Sequence, residues 1–292
     1  MPLDSMHMDP AVFERFRRLI YDASGIALRE NKVQLLKARI RKRMNELNIK
    51  DCGRYLEYVE ADESDEELVR LLDAVSTNVT SFFREQRHFD VIAEWIREAL
   101  AAGRRRFRFW SAACSSGEEP VTLAMVVDQA CTGYDVDWKI LATDISSRML
   151  IRAQEGLYPE AKATGIPAHL RQRYFTHATV EGHDFLQVRE MIARRIVYRR
   201  VNLSDPPFPL KGPLDVVMCR NVMIYFDDLV RRRLLSDIYR LVDNEGLFVV
   251  GHAESLTGML SEFKSVVPSV YCKQSNALVS AAARRCYGDR VA

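Results

Sequence analysis

The chain has 292 residues, of which 48% are hydrophobic, enough for one large domain or two modest ones. Its formal net charge of +2 gives no overall field that would draw the molecule to nucleic acid or to a membrane surface. Apolar runs fall well short of the roughly 18 residues of a membrane-spanning helix, so no direct membrane insertion is expected. The six cysteines are scattered without metal-ligand spacing, and no secretory leader is recognisable. This favours free thiols in a cytoplasmic protein and predicts no metal site.

The N-terminal quarter has the apolar spacing of helices. Between residues 9 and 75, apolar side chains recur every three or four positions in four successive segments, which predicts a small helical domain over residues 1–76. The second predicted helix, 31–47, places basic residues opposite its apolar face. That face is either an ordinary solvated surface or a docking surface for an acidic helix or a phosphate backbone. Its basic residues include Lys32, Arg39, Lys42 and Arg43.

The pattern changes near residue 104, where short apolar runs begin to alternate with helical segments. Such alternation predicts a mostly parallel sheet covered by helices, with residues 77–103 joining the two domains and 104–292 forming an α/β domain. Residues 157–195 interrupt the alternation, and a small β-subdomain insert is predicted at about 172–200. A hairpin over 263–273 is expected to close one sheet edge. The predicted strands are 106–110, 138–143, 196–203, 214–219 and 247–250.

A turn rich in small residues, Ser111–Pro120, follows the first strand. Small side chains let a backbone approach a ligand closely, and the following helix offers free N–H groups. The turn is neither a phosphate-binding loop with Lys-Ser or Lys-Thr nor a GxGxxG loop. Its adjacent acids, Glu118 and Glu119, would repel a phosphate but could attract the amine of a methionyl group. The alternative is a plain strand-to-helix turn whose acids are favoured by the helix dipole.

Polar residues also end two other strands. Asp144 closes the second strand, where an acid typically accepts hydrogen bonds from ribose hydroxyls; alternatively it caps the helix that begins near Ser146. Arg220 and Asn221 follow the apolar strand 214–219, and Tyr225 comes soon after. Because ligands bind at the carboxyl ends of strands in open α/β sheets, these edges predict a nucleotide-like cofactor site. His252 and Glu254 follow the last strand and are interpreted as supports of the site floor.

Two further segments carry polar and aromatic groups together. Residues 77–85 combine hydroxyls, an amide, Phe82, Phe83 and Arg84, more than a simple linker needs. Asp205–Phe208 resembles the Asp-Pro-Pro-aromatic signature of nucleic-acid amino-methyltransferases. That signature should end the fourth strand, whereas here it precedes the strand.

Taken together, these segments resemble the CheR-type chemotaxis receptor methyltransferases, which methylate glutamate side chains of proteins. The resemblance implies a class I S-adenosylmethionine-dependent methyltransferase (Rossmann-like) sheet with an N-terminal all-helical domain and an inserted small antiparallel β-subdomain. It implies methyl transfer from S-adenosyl-L-methionine, leaving S-adenosyl-L-homocysteine, to glutamate carboxylates on the cytoplasmic helices of methyl-accepting chemotaxis receptors. The matching motifs, in the family's order, are Thr77–Glu85, Ser111–Pro120, Thr143–Ile145, Val201–Leu203, Cys219–Phe226 and Gly251–Glu254.

The same resemblance implies roles for individual residues. Arg84 and Tyr225 are expected near the transferred methyl group, as the catalytic pair. Arg39, Lys42 and Arg43 are expected to recognise the acidic receptor helices. No nucleic-acid partner is expected, and a monomer is favoured. The alternatives are a nucleic-acid amino-methyltransferase using Asp205–Phe208, or a receptor-binding module without catalysis. Cofactor contacts are expected from Asn78, Thr80, Arg84, Glu119 in preference to Glu118, Asp144, Asn202, Leu203, Arg220 and Asn221.

Overall fold

Four helices pack together at the N-terminus. The structure is a computed structural model that describes residues 8–76, 78–256, 262–274 and 277–287. α1 begins where the Asp9 side chain accepts a hydrogen bond from the Ala11 amide at 2.7 Å, with a proline in its first turn. The apolar faces of all four helices meet in one buried core, which confirms the predicted helical domain. The helices are α1 (Pro10–Ser24), α2 (Val33–Glu46), α3 (Cys52–Glu60) and α4 (Glu66–Val75).

A seven-stranded sheet organises the rest of the chain. In chain order the elements are α5 (Arg87–Ala101), β1 (Arg106–Ser111), α6 (Glu118–Ala130), β2 (Asp137–Asp144), α7 (Ser147–Glu155), β3 (Leu157–Pro159), α8 (Ala168–Tyr174), β4 (Phe175–Val180), β5 (His183–Val188), α9 (Glu190–Ala193), β6 (Ile196–Arg200), β7 (Leu214–Cys219), α10 (Asp228–Leu241), β8 (Val242–Val250), β9 (Lys264–Val267), β10 (Val270–Cys272) and α11 (Ala277–Tyr287). The strand order of the main sheet is β6-β2-β1-β7-β8-β10-β9. The pairs from β6 to β8 are parallel, and β10 is antiparallel to both of its neighbours, β8 and β9, as expected for an α/β domain closed by a hairpin.

Both faces of this sheet are covered. Along β1, Phe107 and Phe109 point into one core, while Trp110 points into the other and meets Phe208 edge-on at 5.4 Å between ring centroids. All of β7 is buried, as a central parallel strand with two covered faces should be. Within the described ranges, no helix is long and apolar enough to cross a membrane.

A second, three-stranded antiparallel sheet has the order β3-β5-β4. The insert was predicted at about 172–200, and the observed strands differ from that range at both ends. The first strand is Leu157–Pro159, too short to show an alternating pattern in the sequence. At the other end, residues 196–200 form β6 of the main sheet, where Ile196 pairs with Ile140 of β2. The small sheet therefore spans β3 to β5.

The N-terminal domain docks on the carboxyl edge of the main sheet. Gly25 follows α1 with φ +70°, and a Cβ at this position would lie 2.4 Å from Ser204 Cβ. The two segments can therefore approach this closely only because residue 25 is a glycine. This docking brings residues 24–35 over the ends of the strands. The hydrogen bonds that join the domains include Tyr21 Oη to Asp227 Oδ2 at 2.6 Å, the Ala27 amide to the Tyr225 carbonyl at 2.8 Å, and Asn202 Nδ2 to the Ala23 carbonyl at 3.1 Å.

Candidate cofactor and active site

A cavity of about 370 Å³ lies at the carboxyl ends of the parallel strands, where open α/β sheets bind ligands. Its walls come from the loops after β1, β2, β6 and β7, from residues 78–84, and from residues 24–35 of the helical domain. The volume is that of a small-molecule pocket. The structure brings together around this cavity the sequence-predicted residues Asn78, Thr80, Arg84, Glu119, Asp144, Asn202, Leu203, Arg220, Asn221 and Tyr225.

The turn after β1 is shaped by backbone conformations that few residues adopt. Gly117 has φ +94°, and a Cβ there would lie 2.7 Å from the Tyr158 hydroxyl and 2.9 Å from Ala153 Cβ. Ser115 has φ +48°, and its amide donates to Asp144 Oδ2 at 2.8 Å. The ends of β1 and β2 are thereby tied together, and α6 starts immediately beneath the cavity.

Glu119 occupies the buried end of the cavity. One carboxylate oxygen accepts from Ser111 Oγ at 2.7 Å, and the other from Arg220 Nη1 at 2.9 Å. Burial raises the pKa of Glu119, although Arg220 and Ser111 both act in the opposite direction. A carboxylate has about four acceptor positions, so these contacts leave room for a further donor, such as an ammonium group inside the cavity.

Glu118 lies outside the cavity lining. Its buried carboxylate accepts from Ser116 Oγ at 2.6 Å and from Lys162 Nζ at 2.9 Å, on the side facing the small sheet. These contacts satisfy both oxygens away from the ligand space. Of the two adjacent acids, the structure therefore offers only Glu119 to the cavity.

Arg220 makes three side-chain hydrogen bonds at the site, and its side chain is only 1% exposed. Besides Glu119, it donates from Nη2 to Glu85 Oε2 at 3.0 Å and to the Arg84 carbonyl. Its guanidinium also lies over the Phe89 ring, 5.4 Å from the centroid. Burial alone would raise the pKa of Glu85, but the charge of Arg220, its hydrogen bond to the carboxylate and smaller contributions from neighbouring groups together hold that pKa below its ordinary value. Arg220 thus links the ends of β1 and β7 to the loop before α5.

The loop after β7 is held by Glu254. Asn221 has φ +59°, a conformation that needs support in a non-glycine residue. The Glu254 carboxylate accepts from the amides of Asn221 at 2.5 Å, Gly251 at 2.8 Å and Ile224 at 3.3 Å. Glu254 therefore supports the site floor, as interpreted from the sequence, by fixing the backbone that leads to Tyr225.

Asp144 also acts on the backbone. Besides Ser115, it accepts from the Ser146 amide at 2.9 Å, while Ser146 itself caps α7 by accepting from the Met149 amide at 3.2 Å. The helix cap predicted as the alternative for Asp144 is thus supplied by Ser146. Burial raises the pKa of Asp144, with the backbone amides of Ser146 and Ser115 opposing.

Residues 78–84 close the cavity from the domain junction. The Asn78 carbonyl accepts from Ser115 Oγ at 3.2 Å, and Arg84 Nη1 donates to the Val79 carbonyl at 2.8 Å. These bonds hold the segment against the turn after β1. Thr77, the first residue of the motif, lies outside the described residues.

Both parts of the chain match family models. The description "CheR methyltransferase, SAM binding domain" covers residues 78–272, and "CheR methyltransferase, all-alpha domain" covers residues 11–76. The chain belongs to the CheR methyltransferase family. It is therefore an S-adenosylmethionine-dependent methyltransferase of chemotaxis, as the sequence resemblance predicted.

Curated CheR relatives align over nearly the full chain. The chemotaxis protein methyltransferase of Salmonella typhimurium is 34% identical over 264 residues, 90% of each chain. Chemotaxis protein methyltransferase 2 of Pseudomonas aeruginosa is 35% identical over 259 residues, 89% of this chain and 91% of that protein. The Escherichia coli chemotaxis protein methyltransferase is 31% identical over 268 residues, 92% of each chain.

The residues present fit the cofactor of this CheR chain. S-adenosylmethionine carries an ammonium and a carboxylate on its methionyl part, ribose hydroxyls and an adenine. Glu119 presents an acid for an ammonium, Asp144 an acceptor beside the second strand, and Leu203 an apolar surface in the same cavity. Arg84 contributes a cation to the lining. The cavity therefore offers acidic and polar groups to a compound that carries a positively charged sulfur.

In this CheR structure, the Arg43 side chain of α2 is engaged in ion pairs within the helical domain. Its guanidinium donates to both oxygens of Glu67, at 2.7 and 3.0 Å from Nε, and to Glu46 at 2.7 Å. The Tyr55 hydroxyl donates to the same Glu67 at 3.0 Å. With side-chain exposures of 16% for Arg43 and 4% for Glu67, this pair joins α2 to α4. The substrate role expected for Arg43 is thus not favoured, because its donors are already engaged by Glu67 and Glu46.

Three other basic residues at the start of α2 and along it form a stripe that begins at the cavity. Lys32 and Leu35 line the cavity, and Arg39 and Lys42 follow at helical spacing. Lys42 is exposed, and Arg39 is half-buried with Nη1 donating to the Ser76 carbonyl at 3.4 Å. A stripe of three cations and one leucine therefore leads away from the cavity mouth along α2.

The Asp205–Phe208 segment packs elsewhere. Phe208 is buried against Trp110, and its amide donates to Asp237 Oδ2 at 2.7 Å. None of its four residues lines the cavity. This placement opposes the amino-methyltransferase alternative, since that motif would have to reach the reacting atoms.

Sequence reasoning missed two groups of lining or supporting residues. Residues 24–29 wall the cavity, but their contribution depends on domain docking, for which the sequence carries no local signal. Glu85 belongs to a motif identified in the sequence, but no role was predicted for it. The structure shows that its carboxylate accepts a hydrogen bond from Arg220. A carboxylate directly after Arg84 was the available clue.

Proposed function

We propose that this enzyme transfers methyl groups from S-adenosylmethionine to glutamate side-chain carboxylates on the cytoplasmic helices of chemotaxis receptors. The observation that carries the proposal is the continuity between the cavity and the basic stripe of Lys32, Leu35, Arg39 and Lys42 on α2. An acidic helix laid along that stripe would bring a carboxylate to the cavity mouth. The relatives' names, chemotaxis protein methyltransferase, agree with such a target.

The reaction requires little acid–base chemistry from the protein. S-adenosylmethionine, when bound, supplies an activated methyl group on a sulfonium sulfur. A glutamate side chain has a pKa of about 4.3, so the nucleophile is already ionised at pH 7. No general base is needed. The tasks left to the protein are to align the carboxylate with the methyl carbon and to exclude water.

Arg84 and Tyr225 are assigned these aligning tasks. Both line the cavity, and both are held by backbone contacts: Arg84 through its bond to the Val79 carbonyl, Tyr225 through the Ala27 amide that donates to its carbonyl. Their side chains lie where the helical domain meets the sheet. A receptor helix on α2 would approach from the same direction.

The remaining lining residues are assigned to cofactor binding. Glu119 receives the ammonium group, because it is the buried acid with acceptor positions still available. Asp144 receives the ribose hydroxyls at the end of β2. Asn202 is turned toward the helical domain, so it shapes the wall rather than reaching far into the cavity. The further contacts proposed are Asn78, Thr80, Leu203, Arg220 and Asn221.

A labelling experiment tests this function. The chain is incubated with tritium-methyl-labelled S-adenosylmethionine and either a receptor cytoplasmic domain or nucleic acid. Label on the receptor fragment that is released as methanol by alkali is expected, since carboxyl methyl esters hydrolyse under base. Alkali-stable label on nucleic acid would favour an amino-methyltransferase. Binding to the receptor fragment without incorporation of label would indicate a receptor-binding module without catalysis. Each of these two outcomes would contradict the proposal.

A further inference from the structure

Glu85, His88 and His252 form a cluster behind the cavity wall. One ligand-forming atom from each lies within 4.8 Å of the others. Glu85 lies in the loop before α5, His88 lies three residues later in the first turn of that helix, and His252 comes from the loop after β8. Two imidazoles and one carboxylate are a donor set that zinc binds, with a water completing the four ligands.

The spacing of two donors already suits a metal. Glu85 Oε2 lies 3.4 Å from His88 Nδ1. Tetrahedral zinc, with bonds of about 2.0 to 2.1 Å, places neighbouring ligand atoms roughly 3.4 Å apart. The His252 ring stands edge-on to the His88 ring, 5.0 Å between centroids, and is exposed. We expect that rotation of this exposed side chain would bring a ring nitrogen to the third ligand position.

The ring nitrogens of His88 make no hydrogen bond to any residue that the structure describes. The side chain is nevertheless fully buried. Buried polar atoms left unpaired are unfavourable and rare in folded proteins. A neutral imidazole keeps one ring nitrogen with a free lone pair, which is the form that binds a metal. A metal bond at Nδ1 would satisfy that nitrogen.

The charges around the cluster also permit a cation. Arg220 lies nearby, but it contacts two carboxylates, Glu85 and Glu119. The three charges sum to −1 when both acids are ionised, so a divalent ion is not opposed by the net local charge. The exposed His252 side gives the ion a route from solvent.

From this geometry we infer that Glu85, His88 and His252 bind a zinc ion. Glu85 Oε2 is also the atom that accepts from Arg220 Nη2 at 3.0 Å. Zinc and Arg220 would then compete for the negative charge of one carboxylate, because two cations bound to the same oxygen repel each other, and an occupied cluster would loosen the residue that pairs with Glu119. Zinc is thus expected to weaken cofactor binding, a consequence that rests on the proposed cofactor role of Arg220 and Glu119.

Metal titration tests the site directly. Chelator-treated protein is titrated with Zn²⁺ by calorimetry, and with Co²⁺ as a spectroscopic substitute. We expect one ion per chain, and at least about tenfold weaker binding in His252→Ala, whose side chain is exposed. His183→Ala removes an exposed histidine outside the cluster and should leave the affinity unchanged. Equal binding by all three proteins, no binding, or a cobalt–thiolate band indicating a cysteine would overturn the inference.

Cofactor titration separates this inference from the proposed function. S-adenosylhomocysteine should bind severalfold more weakly to zinc-saturated wild-type protein than to zinc-free protein, with no such difference in His252→Ala. An unchanged affinity would refute the competition for Glu85. If metal-free protein binds S-adenosylhomocysteine and forms receptor esters but takes up no zinc, only the zinc site fails. If zinc binds at the cluster but no ester forms, only the proposed function fails.

Discussion

Glu119 and Arg220 form an ion pair across the ends of two neighbouring strands, with 2.9 Å between Oε2 and Nη1. Glu119 comes from the turn after β1 and Arg220 from the end of β7. The pair fixes the buried end of the cavity, because Ser111 orients the acid and Glu85 orients the guanidinium. Several expected outcomes depend on this arrangement.

Glu119→Gln should weaken S-adenosylhomocysteine binding by roughly 10- to 100-fold, since the charge-assisted hydrogen bond proposed between Glu119 and the ligand ammonium would become a neutral one. Isothermal titration calorimetry measures the change. The matched control is Glu118→Gln, which alters an adjacent acid bound to Lys162 and Ser116 outside the cavity. Comparable losses in both variants would contradict the assignment of Glu119.

Tyr225→Phe should lower kcat on the order of 10- to 100-fold while changing the affinity for S-adenosylhomocysteine by less than about twofold. The reason is that the hydroxyl is assigned to orienting the reacting groups and not to holding the cofactor. Single-turnover methyl transfer and calorimetry measure the two quantities. Tyr134→Phe, at an exposed tyrosine away from the cavity, serves as control. Lost cofactor binding with normal turnover of the bound fraction would refute the role.

Adjacent residues on α2 should respond differently to alanine. Arg43→Ala should lower the free energy of unfolding by about 3 kcal/mol, because it leaves the buried Glu67 carboxylate without its bidentate partner. Lys42→Ala should change that free energy by no more than about 0.5 kcal/mol but raise KM for the receptor fragment. Urea unfolding and initial rates distinguish the two. A stable Arg43→Ala protein with impaired receptor binding would restore Arg43 to the substrate surface.

Cofactor affinity should fall as the pH decreases toward the pKa of Glu119, which burial raises above the ordinary 4.5. A ligand ammonium prefers the ionised acid, so binding is strongest above that raised pKa and is lost as the pH drops through it. The folding stability of the ligand-free protein depends on pH in the opposite direction. A raised carboxyl pKa stabilises the folded state at low pH, and this contribution to stability is lost as the pH rises through the raised pKa. Calorimetry from pH 8 to about pH 5 should give a smaller slope for Glu119→Gln. An identical slope would assign the titration to another group.

Gly25→Ala should destabilise the docking of the two domains. The new Cβ would lie 2.4 Å from Ser204 Cβ, in a backbone with φ +70°. Gly133→Ala is the matched control, because Gly133 also has positive φ, +87°, but nothing lies within 4 Å of its Cβ position. Both should lose about 1 kcal/mol through strain, while only Gly25→Ala should also weaken S-adenosylhomocysteine binding. Thermal unfolding and calorimetry give both values, and equal affinities would show that docking does not shape the cavity.

Much of this architecture was predictable from the sequence. The change of apolar period near residue 104 predicted the α/β domain, and polar residues at the ends of β1, β2 and β7 converged on one cavity because parallel strands end at one edge. The four N-terminal helices followed from their apolar spacing. These features can be predicted because each depends on a pattern that repeats along the sequence, and the packing of the folded protein agrees with that pattern.

Other features depend on contacts between distant residues. The sequence favoured Glu119 only weakly, because successive helix residues project about 100° apart and only packing fixes which one faces the cavity. Arg43 looked like its neighbour Lys42 until the structure showed Glu67 beside it. The three-residue strand β3 and the wall formed by residues 24–29 were likewise visible only after folding.

Because residues 24–35 form one wall of the cavity, the helical domain and the sheet domain each contribute a separate part of its lining. Grafting the helical module of one homologue onto the sheet module of another would exchange target choice while retaining the methyl donor, provided that the glycine-to-serine seam at Gly25 and Ser204 is kept. If α2 recognises the receptor as proposed, new targets can be accommodated by changes in the first quarter of the chain, without altering Arg84 and Tyr225, to which the transfer is assigned.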